Sequence, residues 1–137
     1  MQIADLMQQA QQAARSAYAP YSHFRVGAAL LCSDGSIIVG CNVENRSFGL
    51  TICAERNAVA RALAEGKRDF AAIAVYCADS VVPVSPCGAC RQVLSEFVGE
   101  DFPVHFRGSG DELRSVTMGQ LIPYDSLHDL SGRLPHE

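Results

Sequence analysis

Residues 26–43, VGAALLCSDGSIIVGCNV, carry the pattern that decides the fold. Two apolar runs, at residues 26–32 and 37–43, flank the turn-forming residues 33–36. Apolar runs of this length around a short polar turn predict a β-hairpin. Because few polar side chains interrupt either run, both strands are predicted to be buried on both faces.

Helix and strand patterns alternate along the rest of the chain. Apolar residues at helical spacing predict an amphipathic helix over residues 3–17, and an alanine-rich segment from Cys53 or Ala54 to Glu65 predicts a second helix. The remaining predicted elements are a strand at residues 71–76, a helix at 91–97, a strand at 103–107 and a short helix within 117–130. Since a strand–helix–strand connection favours parallel pairing, this order predicts one α/β layered domain over residues 1–137, with a mixed sheet.

The composition excludes several classes of function. Of the 137 residues, 48% are hydrophobic and 19% are charged, which is typical of a folded globular domain. The formal net charge is -4 and there is no basic run, so binding to nucleic acid or to an anionic membrane is not expected. The N-terminus lacks a signal-peptide pattern, and no apolar run reaches the roughly 18 residues of a membrane-spanning helix. A cytoplasmic protein is therefore predicted.

Six cysteines are informative in a reducing compartment, where disulfides are rare and spaced cysteines indicate metal binding or redox chemistry. Cys32, Cys41 and Cys77 lie in apolar, β-branched surroundings. A thiol in such a run usually packs as a small hydrophobic group. These three cysteines are therefore predicted to be structural.

The other three cysteines lie in two short motifs, TICAER at residues 51–56 and SPCGACR at residues 85–91. Each motif places a cysteine at the start of a predicted helix. Free backbone N–H groups and the positive end of the helix dipole favour a thiolate there, and a thiolate is the form that binds zinc. Cys53, Cys87 and Cys90 are therefore predicted to converge on one zinc ion.

The number of ligands indicates the kind of zinc site. A structural site is normally closed by four protein ligands, whereas a catalytic site keeps one position for water. The four histidines, His23, His105, His128 and His136, lie apart from the cysteine motifs and are predicted to be surface or packing residues. An open coordination position is therefore expected.

Two charged residues follow Cys53 closely. Glu55 would lie within one helical turn of the metal, where a carboxylate can take a proton from activated water and pass it to a substrate. Beside the P-C-x-x-C motif, this interpretation is favoured over simple stabilisation of the helix N-terminus. Arg56 either offsets the negative charge of three thiolates or lies solvated on the helix surface, and the residues leave both alternatives open.

With these motifs the chain resembles the small, homotetrameric class of zinc-dependent cytidine deaminases. The resemblance rests on AYAPYS at residues 17–22, FRVGAA at 24–29, GCNVEN at 40–45, GLTICAER at 49–56 and PCGACRQVL at 86–94. It implies a single three-layer domain with a five-stranded mixed sheet flanked by helices, and active sites completed across the subunit boundaries of a homotetramer. The implied activity is hydrolytic deamination of cytidine and deoxycytidine to uridine and deoxyuridine, with release of ammonia, as in pyrimidine salvage.

The resemblance also implies site residues. Cys53, Cys87 and Cys90 match the ligands of one Zn²⁺ ion per chain, and Glu55 matches the residue that shuttles protons. The other matches are Arg56 as a hydrogen-bond donor to the ligand cysteines, Phe24 as an aromatic contact to the nucleoside, Asn42 and Glu44 as the residues that hold the ribose 3′-hydroxyl, the backbone of Ala54 as a contact to the pyrimidine, and the carbonyl of Ser85 as a contact to the departing ammonia. The sequence itself supports part of this assignment, because Asn42 and Glu44 are two positions apart and would lie on the same face of a strand.

The sequence departs from the family pattern in two places. Phe48 stands where the family usually has tyrosine, so a hydroxyl contact between subunits is lost. Near the C-terminus the usual L-L-P-x-x-F is LIPYDS at residues 121–126, with Leu127 next. The aromatic side chain that a neighbouring subunit contributes to the site is therefore absent or replaced at Ser126 and Leu127. These departures concern affinity and substrate preference more than the chemistry.

Three alternatives compete with this activity. A thiol redox protein would explain CGAC after an apolar strand, but it gives residues 53–55 no role. A zinc-stabilised structural protein requires a fourth ligand. A deaminase of a modified cytosine nucleoside, such as a blasticidin-type antibiotic, would share both cysteine motifs, and NVEN at residues 42–45 favours the ordinary nucleoside.

Overall fold

A mixed sheet is built around two neighbouring strands, β1 (Val26–Cys32) and β3 (Phe70–Cys77), which pair in antiparallel orientation. The computed structural model describes residues 1–127, and the other strands in it are β2 (Ile37–Cys41), β4 (Pro103–Arg107) and β5 (Leu113–Thr117). The strand order is β2-β1-β3-β4-β5. Strands β3 and β4 are parallel, as their helical connection predicts, and the other neighbouring pairs are antiparallel.

Helices cover both faces of this sheet, which gives the predicted three-layer α/β architecture. The helices are α1 (Ile3–Ala14), α2 (Ala54–Ala64), α3 (Gly88–Ser95) and the short α4 (Met118–Leu121). Helix α1 buries Leu6, Met7 and Ala10 on one face, whereas α2 and α3 enclose the larger core on the other face. Within residues 1–127, no helix has the length and apolar character needed to cross a membrane.

The predicted hairpin is confirmed, with one correction. Strand β1 is buried almost throughout, whereas β2 is an edge strand that is half-buried apart from Ile38. The prediction that both strands are buried on both faces is therefore wrong for β2. This strand also ends at Cys41, because Val43 forms isolated bridges with Tyr18 and Ile52 instead of continuing the ladder.

Other differences concern the ends of elements. Helix α1 ends at Ala14, three residues earlier than predicted, and α3 begins at Gly88, directly after Cys87. The apolar pattern does not predict the exposed strand β5, although the family resemblance implies five strands. The predictions for His128 and His136, and the end of the range 117–130, lie outside the described residues.

Two glycines allow helices to approach the sheet closely. A Cβ atom at Gly40 would lie 2.5 Å from the Ala58 nitrogen and 2.6 Å from the Ala54 oxygen, so α2 packs with its backbone directly on β2. A Cβ atom at Gly27 would overlap the backbone of α1 in the same way on the opposite face. The position of α2, which begins immediately after Cys53, is thus fixed by contact with a glycine.

Candidate active site

Two helix N-termini meet at one end of the sheet. Cys53 is the N-cap residue of α2, Cys87 is the N-cap residue of α3, and Cys90 lies in the first turn of α3. The backbone carbonyls of Cys53 and Cys87 each accept a hydrogen bond from the first turn of their helix, but neither thiol caps its own helix. Both sulfur atoms are therefore available to a common ligand.

The three thiols form a tight cluster. Cys53 Sγ lies 3.8 Å from Cys87 Sγ, Cys87 Sγ lies 3.5 Å from Cys90 Sγ, and all three atoms lie within 4.8 Å of one another. Zn–S bonds of about 2.3 Å at tetrahedral angles place sulfur atoms about 3.8 Å apart, so this spacing fits one zinc ion. Among residues 1–127, no histidine or carboxylate joins the cluster as a fourth ligand. Within the described residues, three thiols are the donor set of a catalytic site that keeps one position for water.

Arg56 places a positive charge against the cluster. Its Nη2 atom donates to Cys53 Sγ at 3.5 Å, and its Nε atom is buried without a hydrogen-bond partner in the part of the chain that the structure describes. Three thiolates around one zinc ion carry a net negative charge that this guanidinium would offset. The contact favours charge compensation over the alternative of a solvated surface arginine.

The cluster favours a thiolate even without a metal ion. A hydrogen bond from Cys90, supported by one from Arg56, lowers the pKa of Cys53 to about 5, although burial opposes this shift. The contact with Cys53, together with burial, raises the pKa of Cys90. One thiolate is thus stabilised before metal binds, and binding would release the remaining protons.

A cavity of about 310 Å³ opens beside the cluster. It is lined by Ser22, Phe24, Val26, Asn42, Glu44, Thr51, Cys53, Ala54, Glu55, Val75, Cys77, Val84, Ser85 and Cys87. Its volume and mostly apolar walls with a few polar groups are typical of a small-molecule site. A wider cleft of about 780 Å³ between Asp69 and Phe102 lies at the opposite end of the sheet and contains none of the cluster residues.

Glu55 is the buried carboxyl group in the wall of this cavity. It lies in the first turn of α2 and is 4% exposed. Burial raises the pKa of its carboxyl group, and the negative charge of Cys53 acts in the same direction. A carboxyl group held in this way can both accept and return a proton.

Asn42 fixes the backbone at the start of β1, where Phe24 and Val26 also line the cavity. Its side-chain oxygen accepts from Val26 N–H at 2.9 Å, and its side-chain nitrogen donates to the Phe24 carbonyl at 2.7 Å. Asn42 is itself buried. These two hydrogen bonds fix the backbone of Phe24 and Val26, and so they hold the Phe24 side chain at the cavity.

Glu44 holds Tyr21 and Ser22, which lie in the segment just before β1. Its Oε1 atom accepts from Tyr21 N–H at 3.0 Å and from Ser22 N–H at 3.1 Å, and its Oε2 atom accepts from the Ser22 hydroxyl. The hydrogen bond from the Ser22 hydroxyl is the main cause of a lowered pKa of Glu44, so this carboxylate is ionised at neutral pH.

The segment of Ser85 and Pro86, of which Ser85 lines the cavity, is held by Arg91. Its Nη2 atom donates to Ser85 Oγ at 2.9 Å and its Nε atom to the Pro86 carbonyl at 2.8 Å. Its Nη1 atom donates to the Leu121 carbonyl at 2.9 Å, at the end of α4. One guanidinium therefore ties the residues before Cys87 to the end of α4.

Comparison with known proteins decides the family. The sequence pattern of the cytidine and deoxycytidylate deaminase zinc-binding region matches residues 1–105. The chain belongs to this family. The cytidine deaminase of Halalkalibacterium halodurans is 51% identical over 86% of this chain and 89% of that protein. A crystal structure of cytidine deaminase from Burkholderia pseudomallei superposes with a TM-score of 0.87 at 46% identity, and covers 90% of this chain and 98% of that chain. The blasticidin-S deaminase of Bacillus cereus is 34% identical over 72% of this chain and 74% of that protein.

All site residues that the deaminase resemblance implies lie together in the structure. The cavity wall includes Phe24, Asn42, Glu44, Cys53, Ala54, Glu55, Ser85 and Cys87. Cys90 is buried behind this wall, and Arg56 contacts the cluster through Cys53. The predicted zinc-binding set fits the zinc-binding family to which the chain belongs.

The sequence analysis does not assign two other residues, Ser22 and Cys77, to the cavity. Ser22 is part of the AYAPYS segment but has no predicted role, and Cys77 is predicted only to pack, although it also lines the cavity. His23 is exposed, and His105 is buried with its Nδ1 atom 2.7 Å from Ser115 Oγ. Neither histidine joins the cysteine cluster, as predicted.

Proposed function

We propose that the chain catalyses the zinc-dependent hydrolytic deamination of cytidine and deoxycytidine to uridine and deoxyuridine, with release of ammonia. The observation that carries this proposal is the buried Glu55 carboxyl group in a cavity that also contains Cys53 and Cys87. Hydrolysis of an amidine needs an activated water and a group that moves protons, and this arrangement provides for both. Membership of the deaminase family supports the substrate class.

In this mechanism Glu55 moves the protons. Cys53, Cys87 and Cys90 would hold a zinc ion, which would supply Lewis acidity and lower the pKa of a bound water. The Glu55 carboxylate takes a proton from the water that attacks C4 of the pyrimidine, and returns it to N3. Glu55 then takes the second proton of that water from the hydroxyl group now on C4 and passes it to the amino group, so that the C4–N bond breaks, ammonia leaves and the water oxygen becomes O4 of the product. Since Glu55 is 4% exposed, bulk water has little access to these protons.

The other residues around the base orient it. In the proposal Phe24 packs against the nucleoside, the Ala54 backbone contacts the pyrimidine, and the Ser85 carbonyl accepts a hydrogen bond from the departing ammonia. All three residues line the cavity. Arg56 stabilises the negatively charged cysteine cluster through Cys53.

Asn42 and Glu44 have hydrogen-bonding capacity left for one sugar hydroxyl. An amide nitrogen has two N–H groups, and a carboxylate has about four acceptor positions. One N–H of Asn42 donates to the Phe24 carbonyl, and Glu44 accepts three hydrogen bonds from the loop before β1. A hydroxyl group can therefore accept from Asn42 and donate to Glu44. We assign this place to the 3′-hydroxyl, which cytidine and deoxycytidine share.

The alternatives have less support. The redox hypothesis leaves Glu55 and the contact of Cys53 with the C-x-x-C pair unexplained, and a closed structural site would need a fourth ligand that residues 1–127 do not supply. For a blasticidin-type substrate, the similarity is 34% identity, against 51% for a cytidine deaminase. The ordinary nucleoside is therefore the better supported substrate.

Substitution of Glu55 tests the proposal. Glu55→Gln should retain zinc and bind nucleoside but lose turnover by at least about a thousandfold, because general acid–base catalysis contributes about 10²–10⁴-fold for each proton transfer. Glu65→Gln, at the exposed end of the same helix, is the matched control and should keep the parent rate. Zinc content and ammonia release are measured on each protein. Near-normal turnover by Glu55→Gln would refute the proposed role.

We also propose that four chains assemble and share active sites. An exposed apolar patch adjoins the cavity wall at Ser22, Glu44 and Thr51, and it consists of Tyr18, Tyr21, Val43, Phe48, Leu50 and Ile52. Phe48 is 73% exposed and its ring contacts Tyr21. A patch of this kind is typical of a protein interface. Sedimentation equilibrium should give four chains for the parent and a smaller species for Phe48→Lys, and a monomeric parent would contradict the proposal.

Two further statements stay predictions of the sequence. One is that residues 1–137 form a single catalytic domain. The other is the cytoplasmic location, which rests on the use of cysteine as thiol.

A further inference from the structure

The Ser22 hydroxyl connects two cavity residues, Phe24 and Glu44, that have separate roles in the proposed function. It donates to Glu44 Oε2 and accepts from the Phe24 N–H, whose nitrogen lies 3.0 Å from Ser22 Oγ. Ser22, Phe24 and Glu44 all line the cavity. One hydroxyl group thus links the carboxylate proposed for the sugar to the aromatic residue proposed to contact the nucleoside.

The hydroxyl of Ser22 determines how the Glu44 carboxylate is oriented. Oε1 is held by two backbone N–H groups, of Tyr21 and Ser22, whereas Oε2 is held by the Ser22 hydroxyl. Without that hydroxyl, Oε2 would lose this contact, and the carboxylate could rotate about its Oε1 contacts. The acceptor position left for the substrate would then no longer be fixed.

The fold of the loop has other supports. Arg25 N–H donates to Asp79 Oδ2 at 2.8 Å, and the Arg25 guanidinium forms a two-pronged ion pair with the same carboxylate. Asn42 holds the carbonyl of Phe24 and the N–H of Val26. Ser22 itself is exposed in the chain. The backbone of this segment is therefore held by several contacts besides the one that the Ser22 hydroxyl makes to the Phe24 N–H.

From this arrangement we infer that Ser22 is a positioning residue for the sugar of the substrate, and acts by fixing Glu44 and Phe24 in their binding positions. The inference rests on the proposed function and adds a specific determinant of nucleoside affinity to it. It places the effect of Ser22 on substrate binding, since neither of its two contacts is to the cysteine cluster or to Glu55.

Four proteins test this inference: the parent, Ser22→Ala, Ser22→Thr and Ser36→Ala. Ser36 is the matched control, because its hydroxyl donates to Asp34 Oδ1 at 2.6 Å in the exposed β1–β2 turn, at the other end of β1. Each protein is assayed for zinc content, for circular dichroism and for kcat and KM with cytidine. Loss of a hydrogen bond to a charged group should raise the KM of Ser22→Ala roughly tenfold, with kcat within about twofold and zinc unchanged. Ser22→Thr, which keeps the hydroxyl, and Ser36→Ala should both retain the parent KM.

The outcomes separate this inference from the proposed function. If the parent releases no ammonia from cytidine, the proposed function fails. If the parent is active and Ser22→Ala has the parent KM, or loses kcat as much as it gains KM, only the role of Ser22 is refuted. Loss of folded Ser22→Ala protein would refute it as well, because Ser22 would then support the fold rather than the substrate.

Discussion

The close contact between α2 and β2 makes the active site sensitive to one methyl group. In Gly40→Ala, the new Cβ atom would lie 2.5 Å from the Ala58 nitrogen and 2.6 Å from the Ala54 oxygen. Ordinary van der Waals contact begins near 3.4 Å, so the helix and the strand must separate by about 1 Å. Helix α2 carries Glu55, and β2 leads directly into Asn42, so either movement displaces part of the site.

The expected effect is large on activity and moderate on stability. A displacement of about 1 Å in a catalytic group can cost about 100-fold in rate, and overpacking a core contact typically costs about 1–3 kcal/mol. Gly40→Ala should therefore reduce kcat/KM for cytidine by roughly 100-fold, and should lower the free energy of unfolding in urea by about 1–3 kcal/mol. Rates are expressed per zinc-loaded, folded chain.

Gly27→Ala is the matched control for this prediction. Its Cβ atom would overlap the backbone of α1, near Ala10 and Ala14, on the face of the sheet opposite α2. Gly27 follows the cavity residue Val26, but α1 carries none of the site residues and can take up the movement by shifting away from β1. This variant should therefore lose stability at least as much as Gly40→Ala while its kcat/KM stays within about threefold of the parent. A parent-like kcat/KM for Gly40→Ala, or an equal loss of activity in both variants, would refute a positioning role for Gly40.

Three single side chains give further predictions. Arg91→Lys keeps the charge but loses the forked contacts to Ser85, Pro86 and the end of α4, so a chelator should remove zinc faster than from the parent, and equal rates would contradict this. Glu44→Ala should weaken cytidine far more than free cytosine in competition assays, since the lost contact is to the sugar, and equal weakening would exclude Glu44 from the sugar site. Burial lowers the pKa of His105 in the folded chain. As the pH falls below about 6.5, the imidazole is therefore protonated in the unfolded chain before it is protonated in the folded one, and the free energy of unfolding should decrease in that range. His105→Gln should show a shallower decrease in urea unfolding between about pH 7.5 and about pH 5, and an unchanged slope would contradict the assignment.

The sequence predicts those parts of the fold that depend on local pattern. Strands β1 and β3 are apolar runs, β4 contains Val104 and Phe106, and α2 is an alanine-rich segment that Gly66 ends with a positive φ of 83°. Strand β5, with sequence LRSVT, is exposed at the sheet edge and carries no apolar run. Its pairing with β4 is a tertiary contact that local pattern does not contain.

The same distinction applies to the site. The residue types and spacing of Cys53, Cys87 and Cys90 are enough to indicate a zinc site, because few other arrangements use three soft ligands beside a glutamate. The contacts of Ser22 and Arg91 could not be predicted in this way. Ser22 meets Glu44 across 22 residues of chain, and Arg91 meets Leu121 across 30 residues, so both contacts exist only once the layers have packed.

Zinc held by the three cysteines, and used to deaminate an ordinary nucleoside, is the core of the proposed function. The decisive experiment counts zinc per purified chain and measures ammonia release from cytidine, deoxycytidine and blasticidin S, before and after removal of the metal with a chelator. We predict about one zinc per chain, fast conversion of the first two compounds, and loss of activity on chelation that added zinc restores. A zinc-free protein whose Cys87–Cys90 pair cycles as a disulfide would contradict the proposed function, as would a zinc-loaded protein that releases no ammonia from either nucleoside.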